Sequence, residues 1–375
     1  MRDVESLLNR HVRQMQPYAP IVPLEVLAER LHLPREAIVK LDANENPYGV
    51  SPRVWEAIRN ADLHIYPDPD QTRLREAIAR YIGVPAAHIL CGAGADEVID
   101  LIGRAFLQPG DALLDLPPTF GMYRWEADVC GARYVDVPRR PDFSIDVETV
   151  IAVARRERPK LLFITNPNNP DGSTIEDDAL RELLQLPVLV VLDEAYIDFS
   201  AQPSRARWVM EHENLVVLRT FSKLAGMAGL RVGYGVFPMK VVRHLWKIKQ
   251  PYTPNVAGSA AAIAALEDAD FLRQSVQRLV AERQRLTHVL AELGWLEPLP
   301  SSANFVLCRV RLPRPIPGFE GLPTGRQLKL ALERYGVLVR WFDKDGLRDC
   351  IRISVGRPEH TACLRDALAA IAASL

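Results

Sequence analysis

Residues 214–237 read NLVVLRTFSKLAGMAGLRVGYGVF, and this stretch decides the fold class. Two short apolar runs, NLVVLR and RVGYGVF, are continuous rather than alternating, which is typical of strands in a sheet covered on both faces. Between them lies Lys223, flanked by Ser, Gly and Ala, and Arg231 follows eight residues later. A lysine taken alone is most often a surface residue, so the role of Lys223 depends on what else the chain brings to this strand end.

Similar apolar runs recur upstream, separated by helical stretches such as TRLREAIARYIG and DEVIDLIGRAFL. The other runs are HILCGAG, DALLDLP, ARYVDVP, KLLFITN and VLVVLDE. Strands that alternate with helices predict a three-layer α/β domain, which we assign to residues 45–265. Beyond residue 265 a long helical pattern is followed by NFVLCRV, VLVRWF and CIRISVG, which indicates a smaller α+β domain over residues 266–375. Residues 1–44 are a polar arm that we assign to the small domain.

Composition excludes several classes of protein. The 375 residues carry 46 basic and 47 acidic side chains, and this balance predicts no nucleic-acid or anionic-membrane partner. The five cysteines form no C-x-x-C pair, which favours reduced thiols in a cytoplasmic protein over disulfides or a metal site. No apolar stretch approaches the roughly 18 residues of a membrane span, and the first residues are too charged for a secretory signal.

Polar side chains follow three of the predicted strands, in TNPNNPDG, VLDEAYIDF and TFSKLAG. Ligands of open α/β sheets bind at the carboxyl ends of the strands, so we expect Asn169, Asp193, Tyr196 and Lys223 to converge. Pyridoxal 5′-phosphate suits this set. Its aldehyde needs a lysine, its ring nitrogen needs a carboxylate such as Asp193, and its phenolic oxygen needs donors such as Asn169 and Tyr196.

The phosphate of that cofactor needs hydroxyls, a cation and a helix N-terminus. Thr220 or Ser222, Arg231 and the turn at residues 94–96 are the candidates, and Phe120 is placed to stack on the ring. The turn GAGADE begins like a dinucleotide fingerprint but has Glu97 where the third glycine belongs, which argues against a nicotinamide-dependent dehydrogenase.

The order of the motifs resembles the fold-type I pyridoxal-phosphate aminotransferases, and most closely the histidinol-phosphate aminotransferase family. The matching motifs span residues 41–356 and are LDANENPYG, YPDPD, GAGADE, PTFGMY, NPNNPDG, DEAYIDF, SKLAGMAGLRVGY and RISVG. The resemblance implies a large three-layer domain with a mostly parallel mixed sheet, together with the smaller α+β domain.

Residue roles are carried over from this resemblance by position. Lys223 is implied to be the Schiff-base lysine, and Asp193 and Tyr196 complete the implied catalytic group. The implied cofactor-binding residues are Ala95, Asp96, Phe120, Asn169, Asp193, Tyr196, Thr220, Ser222, Lys223 and Arg231, with Tyr66 from the neighbouring subunit of a homodimer. The implied substrate-binding residues are Tyr18, Asn44, Arg340 and Arg352.

Three features depart from the family pattern. Asp171 stands where threonine is common and adds a negative charge near the expected site. Phe120 stands where tyrosine is frequent, so stacking is kept and a hydroxyl contact is lost. The loop LPRPIPGFEGLPTG, at residues 312–325, is longer than usual and bears on substrate choice.

The resemblance implies a transaminase of histidine biosynthesis that converts L-histidinol phosphate and 2-oxoglutarate into imidazole-acetol phosphate and glutamate. Two alternatives of the same fold stay open, an aromatic amino-acid aminotransferase and a threonine-phosphate decarboxylase. A non-catalytic regulator on this fold needs a DNA-binding module, and the residues before LDANEN are too few for one.

Overall fold

The computed structural model describes residues 3–18 and 22–375. Its strands are β1 (Val39–Leu41), β2 (Ile89–Gly92), β3 (Ala112–Asp115), β4 (Arg133–Asp136), β5 (Leu161–Thr165), β6 (Leu189–Asp193), β7 (Leu215–Thr220), β8 (Gly233–Val236), β9 (Leu296–Pro298), β10 (Phe305–Val310), β11 (Val337–Trp341) and β12 (Cys350–Ser354).

The α-helices alternate with these strands over most of the chain. They are α1 (Arg10–Gln14), α2 (Leu24–Leu31), α3 (Pro52–Arg59), α4 (Thr72–Ile82), α5 (Ala95–Phe106), α6 (Met122–Val129), α7 (Val147–Glu157), α8 (Asp177–Leu183), α9 (Phe221–Leu224), α10 (Met239–Leu245), α11 (Val256–Glu267), α12 (Ala269–Ala291), α13 (Thr324–Arg334) and α14 (Pro358–Ala372).

The apolar runs noted in the sequence form one large sheet with the strand order β2-β8-β7-β6-β5-β3-β4. Neighbouring strands are parallel except at β8, which is antiparallel to both β2 and β7. Successive residues of one strand enter separate cores: in β6, Val190 packs into the cluster on one face and Val191 into the cluster on the other. Both faces are therefore covered along β2, β3 and β5–β8, which explains why these strands read as continuous apolar runs. The edge strand β4 is only partly covered, with Arg133 and Asp136 exposed.

A second, small sheet has the strand order β1-β11-β12-β10-β9. β1 comes from the N-terminal part of the chain and pairs in parallel with β11, whereas the other neighbours are antiparallel. The pairing ties residues 39–41 to the C-terminal part of the chain. The domain limits at residues 44/45 and 265/266 stay a prediction.

The parallel strands β5, β6 and β7 end side by side at Thr165, Asp193 and Thr220. The loops that follow them lie next to β11 and β12 of the small sheet, so polar residues from both sheets meet in one cleft. No helix in the described ranges is both long enough and apolar enough to cross a bilayer. Within the same ranges, no group of three or more His, Cys, Asp or Glu side chains is placed to hold a metal ion.

Candidate active site

Two adjoining cavities occupy the cleft at the carboxyl ends of β5, β6 and β7. The inner cavity encloses ≈ 150 Å³ and reaches the N-terminus of α5. The outer cavity encloses ≈ 470 Å³ and extends to the small sheet. The two cavities share four of their lining residues, which are Phe120, Asn169, Tyr196 and Lys223.

The inner cavity gathers almost all of the predicted cofactor-binding residues. Its lining includes Ala95, Asp96, Phe120, Asn169, Asp193, Tyr196, Thr220, Ser222, Lys223 and Arg231. These residues come from six separate stretches of the sequence, and the strand order of the large sheet brings them together. Their individual roles stay predictions.

Lys223 lies where the two cavities meet. It belongs to the short helix α9, which begins directly after β7 because the Thr220 side chain accepts a hydrogen bond from the Ser222 amide (3.1 Å). The Lys223 ammonium donates to the Ala43 carbonyl (3.1 Å). The surrounding protein removes water from this amine and, together with the nearby Arg352, lowers the pKa of Lys223 to about 8. A substantial neutral fraction is therefore present just above neutral pH.

Asp193 is a buried carboxylate at the end of β6. Its two oxygens accept hydrogen bonds from the Tyr123 hydroxyl (2.7 Å) and the Ala195 amide (2.9 Å). Burial raises the pKa of Asp193 to about 6, although both hydrogen bonds oppose that shift. At neutral pH the site therefore holds a negative charge that a cationic group of a ligand would stabilise.

Sequence reasoning missed Tyr123, which orients this carboxylate. Tyr123 is fully buried on α6 and stacks on Phe163, with 4.4 Å between ring centroids. The only signal was its place in PTFGMY, three residues after Phe120.

The turn before α5 has the geometry of an anion site. Gly94 has φ 82°, a conformation that favours glycine, and a Cβ there would displace the Arg231 guanidinium from the turn. The first amides of α5, at Ala95 and Asp96, have no intrahelical acceptor. Arg231 approaches the same turn and pairs with the Asp96 carboxylate at 2.8 Å.

This donor set fits pyridoxal 5′-phosphate. It combines an amine of lowered pKa, a buried carboxylate, and a helix N-terminus beside an arginine and hydroxyls. The groups that line the inner cavity offer a binding partner to each polar end of such a cofactor.

The predicted substrate-binding residues Tyr18, Asn44, Arg340 and Arg352 all line the outer cavity. Arg340 and Arg352 are opposite each other in the β11–β12 register, so both side chains leave the small sheet on the same face. Arg340 stacks on Phe342, 5.6 Å from the ring centroid, and makes no ion pair within the described part of the chain.

Arg352 is buried and only partly hydrogen-bonded. Its Nη1 donates to Asn169 Oδ1 (2.5 Å) and its Nη2 donates to the Asp42 carbonyl (2.7 Å). Its Nε is buried and lacks an acceptor among the residues that the structure covers. Burial lowers the pKa of Arg352 to about 10. A guanidinium with a spare buried donor is suited to receive an anion.

Asn44 lines the outer cavity and is also a buried anchor, 1% exposed, and its predicted contact with substrate stays a prediction. Its Nδ2 donates to the Tyr196 hydroxyl (3.1 Å), and its Oδ1 accepts from Ser354 (3.0 Å). Burial raises the pKa of Tyr196, so its phenol stays protonated at neutral pH.

Two further cations, Arg124 and Lys344, line the outer cavity and were missed by sequence reasoning. Arg124 lies on α6 and Lys344 in the loop between β11 and β12, where nothing in the local pattern distinguishes them from solvent-facing charges. Together with Arg340 they make the outer cavity basic, although Asp128 also lines it and pairs with Arg124 at 4.0 Å.

Tyr66 lies outside both cavities. It is 76% exposed and stacks on Tyr252, with 4.4 Å between ring centroids. Within one chain it does not reach the site, and its predicted service to a neighbouring subunit stays a prediction.

Two of the three departures from the family pattern, Asp171 and the loop at 312–325, lie away from the cavity walls, whereas Phe120 lines both cavities. Asp171 is buried and accepts hydrogen bonds from the Asn168 side chain and the Ser173 amide (2.8 Å), so it closes the turn after β5. The nearby buried Arg139 offsets its charge. The expectation that Asp171 adds charge to the site is therefore corrected, because neither cavity is lined by it. No residue of the loop at 312–325 lines either cavity, and its Ile316 packs into the small domain's core instead.

The raised pKa of Asp193 predicts a pH-dependent gain in stability for Asp193→Asn in the cofactor-free protein. The unfolded carboxyl loses its proton near 3.8 and the folded one near 6, so the wild type loses stability as the pH rises between these values. From pH about 4 to about 7, the free energy of unfolding of Asp193→Asn should rise by about 2–3 kcal/mol relative to wild type. Urea denaturation at both pH values measures this difference.

Asp270→Asn is the matched control, because Asp270 lies on the surface in an exposed pair with Arg273. It should show no such pH dependence. An equal difference between Asp193→Asn and wild type at both pH values would contradict the assigned burial cost.

Comparisons with known proteins agree with the geometry. Residues 36–370 match the family described as aminotransferase class I and II. The chain is 49% identical to histidinol-phosphate aminotransferase of Roseiflexus castenholzii, over 98% of this chain and 99% of that protein. It is also 49% identical to the chloroplastic histidinol-phosphate aminotransferase 1 of Arabidopsis thaliana, over 97% of this chain and 85% of that protein.

Among solved structures, histidinol-phosphate aminotransferase from Sinorhizobium meliloti, in complex with pyridoxal 5′-phosphate, superimposes with a TM-score of 0.88. It is 30% identical, and the match covers 98% of each chain. The prediction of a fold-type I α/β architecture is confirmed. The chain therefore belongs to the class I and II aminotransferases and, within them, to the histidinol-phosphate aminotransferase family.

Proposed function

We propose that this chain transfers the amino group of L-histidinol phosphate to 2-oxoglutarate, giving imidazole-acetol phosphate and glutamate in histidine biosynthesis. Pyridoxal 5′-phosphate is the cofactor. The observation that carries the proposal is the position of Lys223 between a cavity suited to the cofactor and a cavity lined by arginines. The names of the relatives support the same reaction.

The inner cavity supplies a partner for each end of the cofactor. Asp193 would hold a proton on the ring nitrogen, Phe120 would contact the ring, and Asn169 and Tyr196 would donate to the phenolic oxygen. The phosphate is held by the donors at the other end of the cavity, which are the amides of Ala95 and Asp96 and the side chains of Thr220, Ser222 and Arg231. When bound there, the cofactor supplies an aldehyde that captures amines and a ring that accepts electrons from the substrate carbon.

Lys223 is the group that moves the proton. Its amine has a pKa of about 8, so it is neutral often enough to accept a proton from the substrate carbon that bears the amine. The Ala43 carbonyl holds Nζ at the border of the two cavities, where it reaches both substrate and cofactor positions. The returned proton comes from the same nitrogen, because Tyr196, the other titratable group that lines both cavities in the described part of the chain, keeps its own proton at neutral pH.

The outer cavity selects the substrate. Arg352, at its inner end, binds the carboxylate of glutamate or 2-oxoglutarate with its planar guanidinium. Arg340 binds the phosphate of histidinol phosphate together with Arg352, and Tyr18 covers the open side. The charge of Lys344 adds to those of Arg340 and Arg352 and favours a phosphate dianion over an uncharged aromatic side chain, which argues against the aromatic aminotransferase. The names of the relatives favour the transaminase over threonine-phosphate decarboxylase.

Two further parts of the proposal concern assembly and location. An exposed groove contains Leu63, Ile65, Tyr66 and Tyr252, each between 48% and 76% exposed, and an apolar surface of this kind suits a second copy of the chain. We assign a homodimer in which Tyr66 contacts the cofactor phosphate of the other subunit. A cytoplasmic location belongs to the proposal as well, while four of the relatives are chloroplastic by name.

Lys223→Ala should abolish transamination while leaving the fold intact, because the amine is needed both to hold the cofactor and to move the proton. Borohydride reduction of the loaded wild type, followed by peptide mapping, should place the cofactor on Lys223. A label on Lys247 or Lys249 instead would refute the assignment.

Arg340→Lys should lower kcat/KM for histidinol phosphate by roughly 10- to 100-fold, because lysine keeps the charge but loses the bidentate fork. Activity with phenylalanine should change little. Arg352→Lys should impair both substrates, because its guanidinium also receives the carboxylate. Steady-state kinetics with the two amino donors measure this split.

Arg326→Lys is the matched control, since Arg326 stacks on Trp341 (5.4 Å) outside the cavity and should tolerate the change. If phenylalanine is the better substrate and Arg340→Lys has no effect, the aromatic aminotransferase takes the place of the proposed function.

Co-expression tests the shared site. Lys223→Ala chains and Tyr66→Ala chains should each be nearly inactive alone, whereas their hybrid dimer has one intact site. Random pairing should restore about a quarter of wild-type activity. Lys223→Ala mixed with Asp193→Asn is the control, because each chain supplies both of these residues to its own site. Every site of the hybrid dimer then carries one of the two substitutions, and no activity should return. A fully active monomer in light scattering would exclude the shared site.

A further inference from the structure

A partly buried polar network lies behind the turn that precedes α5, and the proposed mechanism does not use it. It is formed by the buried Gln71 and Lys249 and the half-buried Glu97 and Thr253. Lys249 and Thr253 belong to residues 249–255, which lie in the connection between α10 and α11 and which we call the strap. The strap also carries Tyr252, the stacking partner of Tyr66.

Lys249 determines which groups donate and which accept in this network. It is only 7% exposed, and its ammonium donates to the carbonyls of Gln250 (2.7 Å) and Thr253 (2.6 Å) and to Thr253 Oγ1 (2.8 Å). An ammonium group can only donate. The Thr253 hydroxyl therefore accepts from Lys249 and is free to donate its own proton to Glu97 Oε1 (2.9 Å).

Glu97 passes this contact on to the turn. Its second oxygen, Oε2, accepts a hydrogen bond from the Ala93 amide. A Cβ on Gly92 would lie 3.1 Å from the same oxygen, so the carboxylate is packed closely against the backbone. The Glu97 carboxylate thus bonds to the strap through Oε1 and, through Oε2, to the peptide that leads into Gly94 and Ala95.

Two other side chains attach the strap to the same region. Gln71 pairs with both the carbonyl (2.8 Å) and the amide (2.9 Å) of Cys91, at the end of β2, and also donates to the Thr253 carbonyl (2.5 Å). Asn255 donates to the Leu230 carbonyl (3.1 Å), directly before Arg231. The strap therefore holds both sides of the anion cradle, the α5 turn and the Arg231 backbone.

We infer that Glu97, Thr253 and Lys249 are positioning residues for the phosphate of the cofactor. Amides bind an anion strongly only when their N–H groups already point at its position, since any ordering that is left to the binding step weakens affinity. The Lys249–Thr253–Glu97 network provides that order from behind, without touching the ligand. The inference rests on the proposed function, because it takes pyridoxal 5′-phosphate as the ligand of the inner cavity.

Thr253→Val is the test, because it removes one hydroxyl and keeps the side-chain shape. The cofactor-free protein is titrated with pyridoxal 5′-phosphate and with pyridoxal, which lacks the phosphate, and binding is followed by the absorbance of the bound ring. The Kd for pyridoxal 5′-phosphate should rise roughly tenfold, while the Kd for pyridoxal should stay within about twofold. Thr253→Ser, which restores the hydroxyl, should behave like wild type.

Inorganic phosphate gives a second readout. It should slow the binding of pyridoxal 5′-phosphate to the wild type by occupying the cradle, and it should do so less in Thr253→Val. If Thr253→Val fails to fold, Glu97→Gln, which keeps the size and removes the charge, is judged by the same ratio of the two dissociation constants.

The outcomes separate the inference from the function on which it rests. Equal losses of affinity for both ligands, or no loss for either, would overturn the inference while leaving the function standing. A wild-type protein that binds pyridoxal 5′-phosphate no better than pyridoxal would overturn the proposed function itself.

Discussion

The removal of water from the Lys223 amine is the constraint on which the site depends. Lowering its pKa from 10.5 to about 8 costs the folded protein up to about 3 kcal/mol of stability at neutral pH. Water is removed from the amine because α9 begins at the end of the buried strand β7 and because the small sheet closes the cleft. A lysine in open solvent would keep its proton and would serve neither as a nucleophile nor as a base.

The two sheets divide the remaining work. The carboxyl ends of the large sheet, with the N-terminus of α5, present a carboxylate and an anion cradle to the inner cavity. The small sheet presents Arg340 and Arg352 to the outer cavity, at matched positions in adjacent strands. Arg352 also connects the halves, since it donates to Asn169 after β5 and to the Asp42 carbonyl after β1. The walls of the inner and outer cavities are therefore joined by a direct hydrogen bond between Arg352 and Asn169.

Much of this arrangement was predictable from the sequence, for a physical reason. Strands buried on both faces must be continuously apolar, so the strands of the large sheet were recognised, and the polar residues at their ends had to converge. The alternation in VLVRWF predicted that the Arg340 side chain leaves the strand on the face opposite to those of its two apolar neighbours. β1 and β9 were missed because three residues are too few for a period to be visible.

Side-chain direction relative to the cleft was the other limit. Tyr123, Arg124 and Lys344 become site residues only through the angle at which α6 and the β11–β12 loop meet the cleft, which no local pattern encodes. Asp171 shows the reverse case. Sequence position suggested a charge at the site, but its carboxylate binds the turn after β5 and points away from the cavities. The Glu97 carboxylate looked like a failed fingerprint position and instead bridges the α5 turn to the strap.

The pKa of Lys223 is the measurement that tests the central claim most directly. Cofactor-free protein labelled with ¹³C-lysine is titrated by NMR, and the Lys223 resonance is identified by its absence from Lys223→Ala. The account predicts a titration midpoint near 8. A midpoint near the ordinary 10.5 would contradict it, because the amine would then be solvated and fully protonated where the proposed chemistry needs it neutral.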